Sequence, residues 1–473
     1  MKIKQFIRTQ RNRQLSRYLE NVNPVKLNAV AAGKLIKAFR NAARKVPAYK
    51  AILKNNGINS SEITDLKTFV ENVPVITKND FFVPFDSESW CRRGMFDKTR
   101  YFMSSSGFTG NYAFGAETHN IKKSVQGVDF TLDYLFNTSR KKTFLINCVP
   151  MGVHIKTSLA LAETSVRSDM VLTMARKIAP KFDQTIIVGD PHFIKKVIEE
   201  GVDAGIHWDR LNVSLICGQD WFPESFRQYI GHLINLDIYT DPGRLIMATM
   251  GMTELGLNIF HETFDTIRLR NEAQRNLQFK NEICSTDIMA APFIFHYYPQ
   301  KSYIEEYRHA DGDTTFLFSV TDNKAVIPLF RYDSGDSGRL LSYDDFQETL
   351  NHCGLADMRP RLKLPLAMLS GRKNNFITTK DSKIFPEDIK LALYEDFETA
   401  SKTTGYFRIS LQDESPLIEI QMKPGIDCNN TIRTRVAGTI LKYVNADLEV
   451  RCYPYRDYPY GMELSYEYKF HNI

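Results

Sequence analysis

Residues Ser104-Ser105-Ser106-Gly107-Phe108-Thr109-Gly110 place four hydroxyls and two glycines in one short string. Glycines free backbone amides to point in one direction and hydroxyls add donors, so such a string can wrap the terminal phosphates of a nucleotide. It lacks the lysine of a Walker A loop, and the same composition suits a plain turn. Further on, Gly251-Met252-Thr253-Glu254 follows the Met-rich apolar run 245–250. A hydroxyl beside a carboxylate can hold an α-phosphate together with its Mg²⁺, because hard cations take oxygen ligands. A helix N-cap with an acid in its first turn would carry the same residues. In the string 330–339, FRYDSGDSGR, Asp336 follows the apolar run 326–329. An aspartate at a strand end can accept both hydroxyls of a ribose, and it also suits a simple polar turn.

These strings need elements to hold them. A strand-like stretch at 99–103 leads into the Ser/Gly string, and β-rich runs at 143–149 (TFLINCV), 185–188 (TIIV) and 213–217 (VSLIC) alternate with helical segments at 190–201 and 223–236. That alternation predicts α/β layers around a largely parallel sheet. Upstream, Leu27, Ala31, Leu35, Ala38, Phe39 and Ala42 recur with helical period over 27–55, punctuated by Pro47 and the Asn-Asn-Gly turn at 55–57. After residue 370, strands at 376–379, 406–411 and 417–422 interleave with helices at 386–394 and 431–443. The chain is therefore expected to divide into a large unit, 1–370, and a small α+β unit, 371–473.

Composition narrows the class. With 473 residues, 43 % apolar and 25 % charged, the chain suits a globular protein of this size. The cysteines Cys91, Cys148, Cys217, Cys284, Cys353, Cys428 and Cys452 stand singly, without the C-x-x-C pairs of zinc or redox sites. The net charge of +6 fits phosphate-bearing ligands but falls short of a nucleic-acid binder, and the basic residues crowding the first fifty positions read as a solvated helical face. The polar N-terminus has no signal-like apolar stretch, and no run approaches the ~20 apolar residues of a membrane span. The expectation is a cytoplasmic protein with no nucleic-acid partner and no membrane insertion.

Taken in chain order, the Ser/Gly string, Gly218-Gln219-Asp220-Trp221, Gly251-Met252-Thr253-Glu254, Gly335-Asp336 and Gly371-Arg372 resemble the adenylate-forming (acyl-CoA synthetase) superfamily. They look most like its phenylacetate-CoA ligase-like branch, which includes capsule-biosynthesis relatives. The stretches 43–50 (ARKVPAYK), 56–58 (NGI) and 73–80 (VPVITKND) are similar to the same branch. The resemblance implies a large adenylation domain with layered sheets and helices, followed by a small mobile α+β domain. It implies MgATP-dependent activation of a carboxylic acid as acyl-AMP, then transfer to CoA, an acyl carrier protein or an amine. Carried over by position, Ser104, Ser105, Ser106, Gly107, Thr109 and Gly110 would cradle the β- and γ-phosphates, and Gly218, Gln219 and Asp220 would line the adenine pocket. Thr253 would contact the α-phosphate, Glu254 the Mg²⁺ and Asp336 the ribose, while Arg372 would reach the nucleotide and Asn374 would be the hinge.

Three positions depart from the pattern. Met250 replaces a tyrosine that would stack on adenine, leaving Trp221 or Phe222 to supply the stacking. Asp381 stands where a glycine usually opens the pantetheine tunnel, which weakens the case for CoA as acceptor. Met462 occupies the place of the catalytic lysine, and Lys469 is the one lysine of that tail able to take its role of neutralising transition-state charge. Among the histidines, His119, His154 and His261 fall near the motifs, His154 best placed after a strand end. Stretches 130–135, 149–161 and 247–252 would form an apolar to aromatic acid pocket, suggesting an aryl or medium acyl substrate. Two other classes fit parts of the pattern: a nucleotide-binding scaffold without turnover, and a nucleotidyltransferase of a polysaccharide pathway with Asp333 and Asp336 on its metal.

Overall fold

The computed structural model describes residues 2–96, 99–105, 110–118, 121–380, 382–413, 415–444, 446, 448–460, 466–467 and 471–473. Its centre is an eleven-stranded sheet. From one edge the strands run Ser302–Arg308, Thr314–Val320, Tyr332–Leu341, Leu366–Arg372, Phe293–Tyr297, Gly256–His261, Ile246–Met252, Val213–Cys217, Gln184–Gly189, Thr143–Asn147 and Ala160–Glu163. The α/β layers and the parallel pairing expected for the middle of the chain hold, and later strands extend the sheet with an antiparallel half. Pairing is parallel from Ala160–Glu163 through Ile246–Met252 and antiparallel over the remaining strands. Several antiparallel neighbours follow each other through short connections, which do not allow the crossover that parallel pairing needs.

Every residue of the strands at 143–147, 184–189 and 213–217 is buried, as expected of parallel strands covered on both faces. The helix Pro191–Asp203 starts sharply because the Asp190 side chain accepts from the His192 and Phe193 amides and Pro191 opens the first turn. With Glu224–Leu233 it packs Phe193, Val197, Phe226 and Ile230 into the core shared with these strands.

The helical pattern at 27–55 resolves into Pro24–Lys45 and Pro47–Asn55, broken where Val46 turns extended ahead of Pro47. Phe39 packs edge-on against Phe69 and Phe330, and the Phe330 amide donates to the Tyr49 hydroxyl at 2.7 Å. Arg331 donates to the Val70 and Val73 carbonyls at 2.7 Å each. The N-terminal helices thereby hold the start of the strand carrying Asp336.

Beyond Arg372 the chain builds a small hairpin, a three-stranded sheet of Thr403–Gln412, Ser415–Met422 and Glu449–Tyr453, and the helices Pro386–Glu395, Phe397–Lys402 and Asn430–Ile440. These elements dock on the helices of the parallel half. The Lys195 ammonium donates to the Thr403 carbonyl at 2.8 Å, and Lys423 pairs with Glu199 at 2.7 Å. Among the described residues, no helix is long and apolar enough to cross a membrane.

Beneath the strand Ile246–Met252 lie four buried ionisable side chains, Glu224, Arg227, Glu262 and Arg270. Arg227 reaches Glu262 at 2.8 and 2.9 Å and Glu224 at 3.0 and 3.1 Å. Arg270 pairs with Glu224 at 3.2 Å, and Glu262 accepts from the Ala248 amide at 2.6 Å. Removing one partner of such a pair leaves the other charge stranded. Arg227→Met is expected to destabilise the protein by about 3–5 kcal/mol, read as a lower denaturant midpoint, with Arg227→Met/Glu262→Gln recovering part of the loss.

Candidate functional site

A cleft of about 1540 Å³ opens above the C-terminal end of the parallel strands and is closed on one side by the small C-terminal elements. Ser105, Gly218, Gln219, Asp220, Thr253, Glu254, Asp336 and Arg372 all line it. The chemistry-bearing strings, scattered over 270 residues of sequence, therefore face one space.

The Ser/Gly string grows from the hairpin of Thr99–Ser104 and Phe114–Thr118. Ser105 closes its neck: its amide donates to the Ala113 carbonyl at 2.9 Å and its hydroxyl accepts from the Ala113 amide at 2.9 Å. Ser104 and Gly110 stand exposed at that neck, Gly110 with φ +84°. Ser106, Gly107 and Thr109 lie outside the described residues. The hairpin sits directly on the Thr253 segment, where a Cβ at Gly115 would come within 2.0 Å of the Thr253 carbonyl oxygen. The Thr253 hydroxyl also reaches the Ser104 carbonyl at 3.5 Å. Gly115 thus sets how closely the hairpin approaches Thr253.

Thr253 and Glu254 occupy the turn after the strand Ile246–Met252, so the helix N-cap alternative is excluded. Glu254 is half-buried and hydrogen-bonds Tyr332. Burial raises its carboxyl, partly opposed by the nearby Lys78, and Asp336 raises it further. Asp336, 6 % exposed, lies in a bulged strand rather than a turn. It accepts from the Ser334 hydroxyl at 2.6 Å and faces the Arg372 guanidinium at 3.4 Å. Lys78, part of the resemblance but without an assigned role, and Tyr332 both belong to this cluster. Burial lowers the Lys78 ammonium, while Glu254 pulls it back up.

On the opposite wall, Gly218 is held by its amide on the Gly189 carbonyl at 3.0 Å, and Gln219 adopts φ +76°. Asp220 lies 2.6 Å from the Lys390 ammonium and 3.1 Å from His192 Nε2. Burial alone would raise its carboxyl, but Lys390 and His192 hold it well below the usual range. Lys390 is buried on the helix Pro386–Glu395, and in sequence it looks like any helical lysine. Of the two candidate stacking rings, Trp221 lines the cleft, whereas Phe222 is buried against Phe226 and Phe293 in the core.

Near the C-terminus, Tyr466 and Glu467 contact residues between 151 and 193. Glu467 accepts from the Met151 amide at 2.8 Å and the Ser165 hydroxyl at 2.9 Å, and Tyr466 packs on Phe193. Lys469 and Met462 lie outside the described residues, as do Asp381 and His119. His154 lines the cleft with Nδ1 2.6 Å from Glu163. The expected acid-pocket stretches contribute Leu132, Leu135, Val149, Ile155 and Met247 to the wall, but Phe130 turns away to pack with Leu19 and Leu27. Asn374 takes φ +61°, the left-handed conformation an asparagine tolerates.

No family model matches the sequence, and no curated protein is similar to it in sequence. The chain is similar to the crystal structure of 2-hydroxyisobutyryl-CoA ligase in the postadenylation state in complex with 2-HIB-AMP, with TM-score 0.70 and 13 % identity over 96 % of this chain and 91 % of the ligase. The R3-HIB-AMP complex gives 0.69 at 12 % identity with the same coverage. The complex with 2-HIB-AMP and CoA in the thioesterification state gives 0.56 at 13 % identity, over 93 % of this chain and 88 % of the ligase. The fold is that of this ligase.

Glu387, on the helix Pro386–Glu395, makes the wall of the cleft sensitive to pH. It is buried, its Oε2 has no hydrogen-bond partner, and its Oε1 would lie 2.9 Å from a Cβ on Gly371. Burial pushes its carboxyl up to about 7, against the opposing pull of Lys390. The folded protein therefore binds a proton that the unfolded chain releases above its ordinary pKa of 4.5, and stability falls as pH rises from there to about 7. Glu387→Gln is expected to match wild type at pH 4.5 and to exceed it above pH 7 by up to about 3 kcal/mol, measured by thermal unfolding across pH.

Proposed function

We propose that this chain activates a carboxylic acid with ATP, forming acyl-AMP and pyrophosphate, and then transfers the acyl group to the thiol of CoA. The observation that carries this reading is the meeting of Thr253, Glu254, Asp336 and Arg372 in one cleft with the neck of the Ser/Gly string. The likeness of fold to a ligase bound to 2-HIB-AMP and CoA supports it. We assign the chain to a phenylacetate-CoA ligase-like type. Its working division falls between residues 370 and 371, with Asn374 as the hinge of a mobile C-terminal domain.

In the first step an oxygen of the acid attacks the α-phosphorus of ATP, and pyrophosphate leaves with the bonding pair. The string from Ser104 to Gly110 holds the β- and γ-phosphates, Thr253 bonds the α-phosphate, and Asp336 takes the ribose hydroxyls. Gly218, Gln219 and Asp220 form the adenine wall, with Trp221 the available ring. The oxygen donors of Glu254 and Thr253 fit Mg²⁺, whose charge would favour the ionised form of the half-buried carboxylate. Mg²⁺ would neutralise charge on the phosphates. Arg372 and Lys469 supply positive charge as it develops in the transition state, so catalysis rests on positioning and electrostatics rather than a covalent nucleophile. In the second step the thiol sulfur attacks the acyl carbonyl, and AMP leaves with the electron pair.

ATP–pyrophosphate exchange measured with pools of aryl, fatty, hydroxy and amino acids is expected to require one pool. Asp336→Ala should lower that exchange about a hundredfold or more. Lys469→Ala should lower exchange but leave ATP binding intact; unchanged exchange would remove Lys469 from catalysis. Absence of exchange with every pool, alongside tight ATP binding, would favour a nucleotide-binding scaffold.

A further inference from the structure

The acid pocket is not wholly apolar. Its wall includes Leu132, Met247 and Ile259, but also Lys301 and His261. The Lys301 ammonium lies 4.8 Å above the Tyr298 ring, and among the described residues no carboxylate pairs with it. It comes within 3.1 Å of where a Cβ would stand on Gly127, inside the helix Ile121–Phe136. A glycine in a helix interior is less favourable than alanine, and here the missing side chain leaves room for the ammonium. His261 stacks on the same Tyr298 ring at 5.2 Å. It is 1 % exposed, with neither ring nitrogen hydrogen-bonded.

The buried His261 imidazole has no hydrogen-bond partner inside the protein, and the Lys301 ammonium, on an exposed residue facing the cleft, meets the face of the Tyr298 ring. Leaving a buried imidazole unsatisfied is costly unless a ligand meets it. Burial lowers the Lys301 ammonium and drives the His261 imidazole toward its neutral form, which has one donor and one acceptor nitrogen. Both groups can donate to an anion.

We propose that Lys301, with His261 and the space at Gly127, binds a second anionic group on the acid, so that the substrate class is dicarboxylic acids. This rests on the activation reading: one carboxylate reacts near Thr253, and the other is held at Lys301 across the apolar wall. It narrows the aryl or medium acyl expectation to acids of that size that carry a distal charge.

The test compares succinate, adipate and terephthalate with butyrate, hexanoate and benzoate, by ATP–pyrophosphate exchange and by calorimetric binding. Wild type, Lys301→Met and Gly127→Ala are assayed in parallel. Wild type should prefer a diacid, and Lys301→Met should lower kcat/KM for it about a hundredfold while leaving the matching monoacid within about threefold. Gly127→Ala crowds the ammonium but favours the helix, so a loss of diacid selectivity there cannot come from unfolding. Equal use of diacids and monoacids, or a ratio unmoved by Lys301→Met, would overturn the inference and leave acid activation standing. A raised KM for ATP or CoA with acid selectivity unchanged would assign the anion to a phosphate and also overturn it. Diacid binding lost in Lys301→Met without exchange in any protein would sink the activation reading and keep the anion site. Neither binding nor exchange of any diacid would sink the site as well.

Discussion

Arg227, buried with no exposed surface, is the constraint on which the rest of the structure depends. Its guanidinium can stay charged there only because Glu224 and Glu262 surround it. Satisfying those pairs fixes the helix Glu224–Leu233 against the strand Ile246–Met252 and the segment that follows Gly256–His261. That strand is where the sheet changes character, parallel on one side and antiparallel on the other. Thr253 and Glu254 leave its end at that change, the kind of position where α/β sheets collect ligands. Fixing the charges underneath therefore fixes Thr253 and Glu254 above.

The cleft also manages charge. A site for a polyanionic nucleotide and a carboxylate must not repel them, yet Asp220, Glu254, Asp336 and Glu387 all line it. Each is answered locally: Asp220 by Lys390, Asp336 by Arg372, Glu254 by Lys78 and a tyrosine hydroxyl, and Glu387 by a raised proton affinity. Lys390 and Glu387 belong to the small C-terminal elements, so the electrostatics of the cleft depend on both parts of the chain. Of the side chains that neutralise the acids, Lys390 also joins the C-terminal elements to the rest of the chain.

Parts of this were legible in the sequence, for definite reasons. The parallel strands stand out because burial on both faces makes them continuous apolar runs, and Pro24–Lys45 because one helical face is buried throughout. The helix Lys2–Asn21 was legible only through its basic, solvated face, because Phe6, Ile7, Leu15 and Tyr18 are exposed and its apolar residues mark no buried stripe. Which strands pair antiparallel is a tertiary choice that local alternation does not encode. Thr253, Glu254, Asp336 and Arg372 were readable because motif residues keep their order along the chain. Lys390 and Lys301 were not, since a lysine turned into a cleft has the same local pattern as one turned to solvent. Tyr332 and Lys78 sat within quoted strings, but only their meeting at Glu254 reveals what they do.

The central claim is that this cleft directs attack on the α-phosphorus of ATP rather than on its terminal phosphate. Single-turnover mixing of excess enzyme with ATP labelled at the α-phosphate, together with the acid selected by exchange, tests it most directly. The account predicts that label passes into acyl-AMP and then, on addition of CoA, into AMP. Label recovered as ADP would show transfer of the terminal phosphoryl group and contradict it.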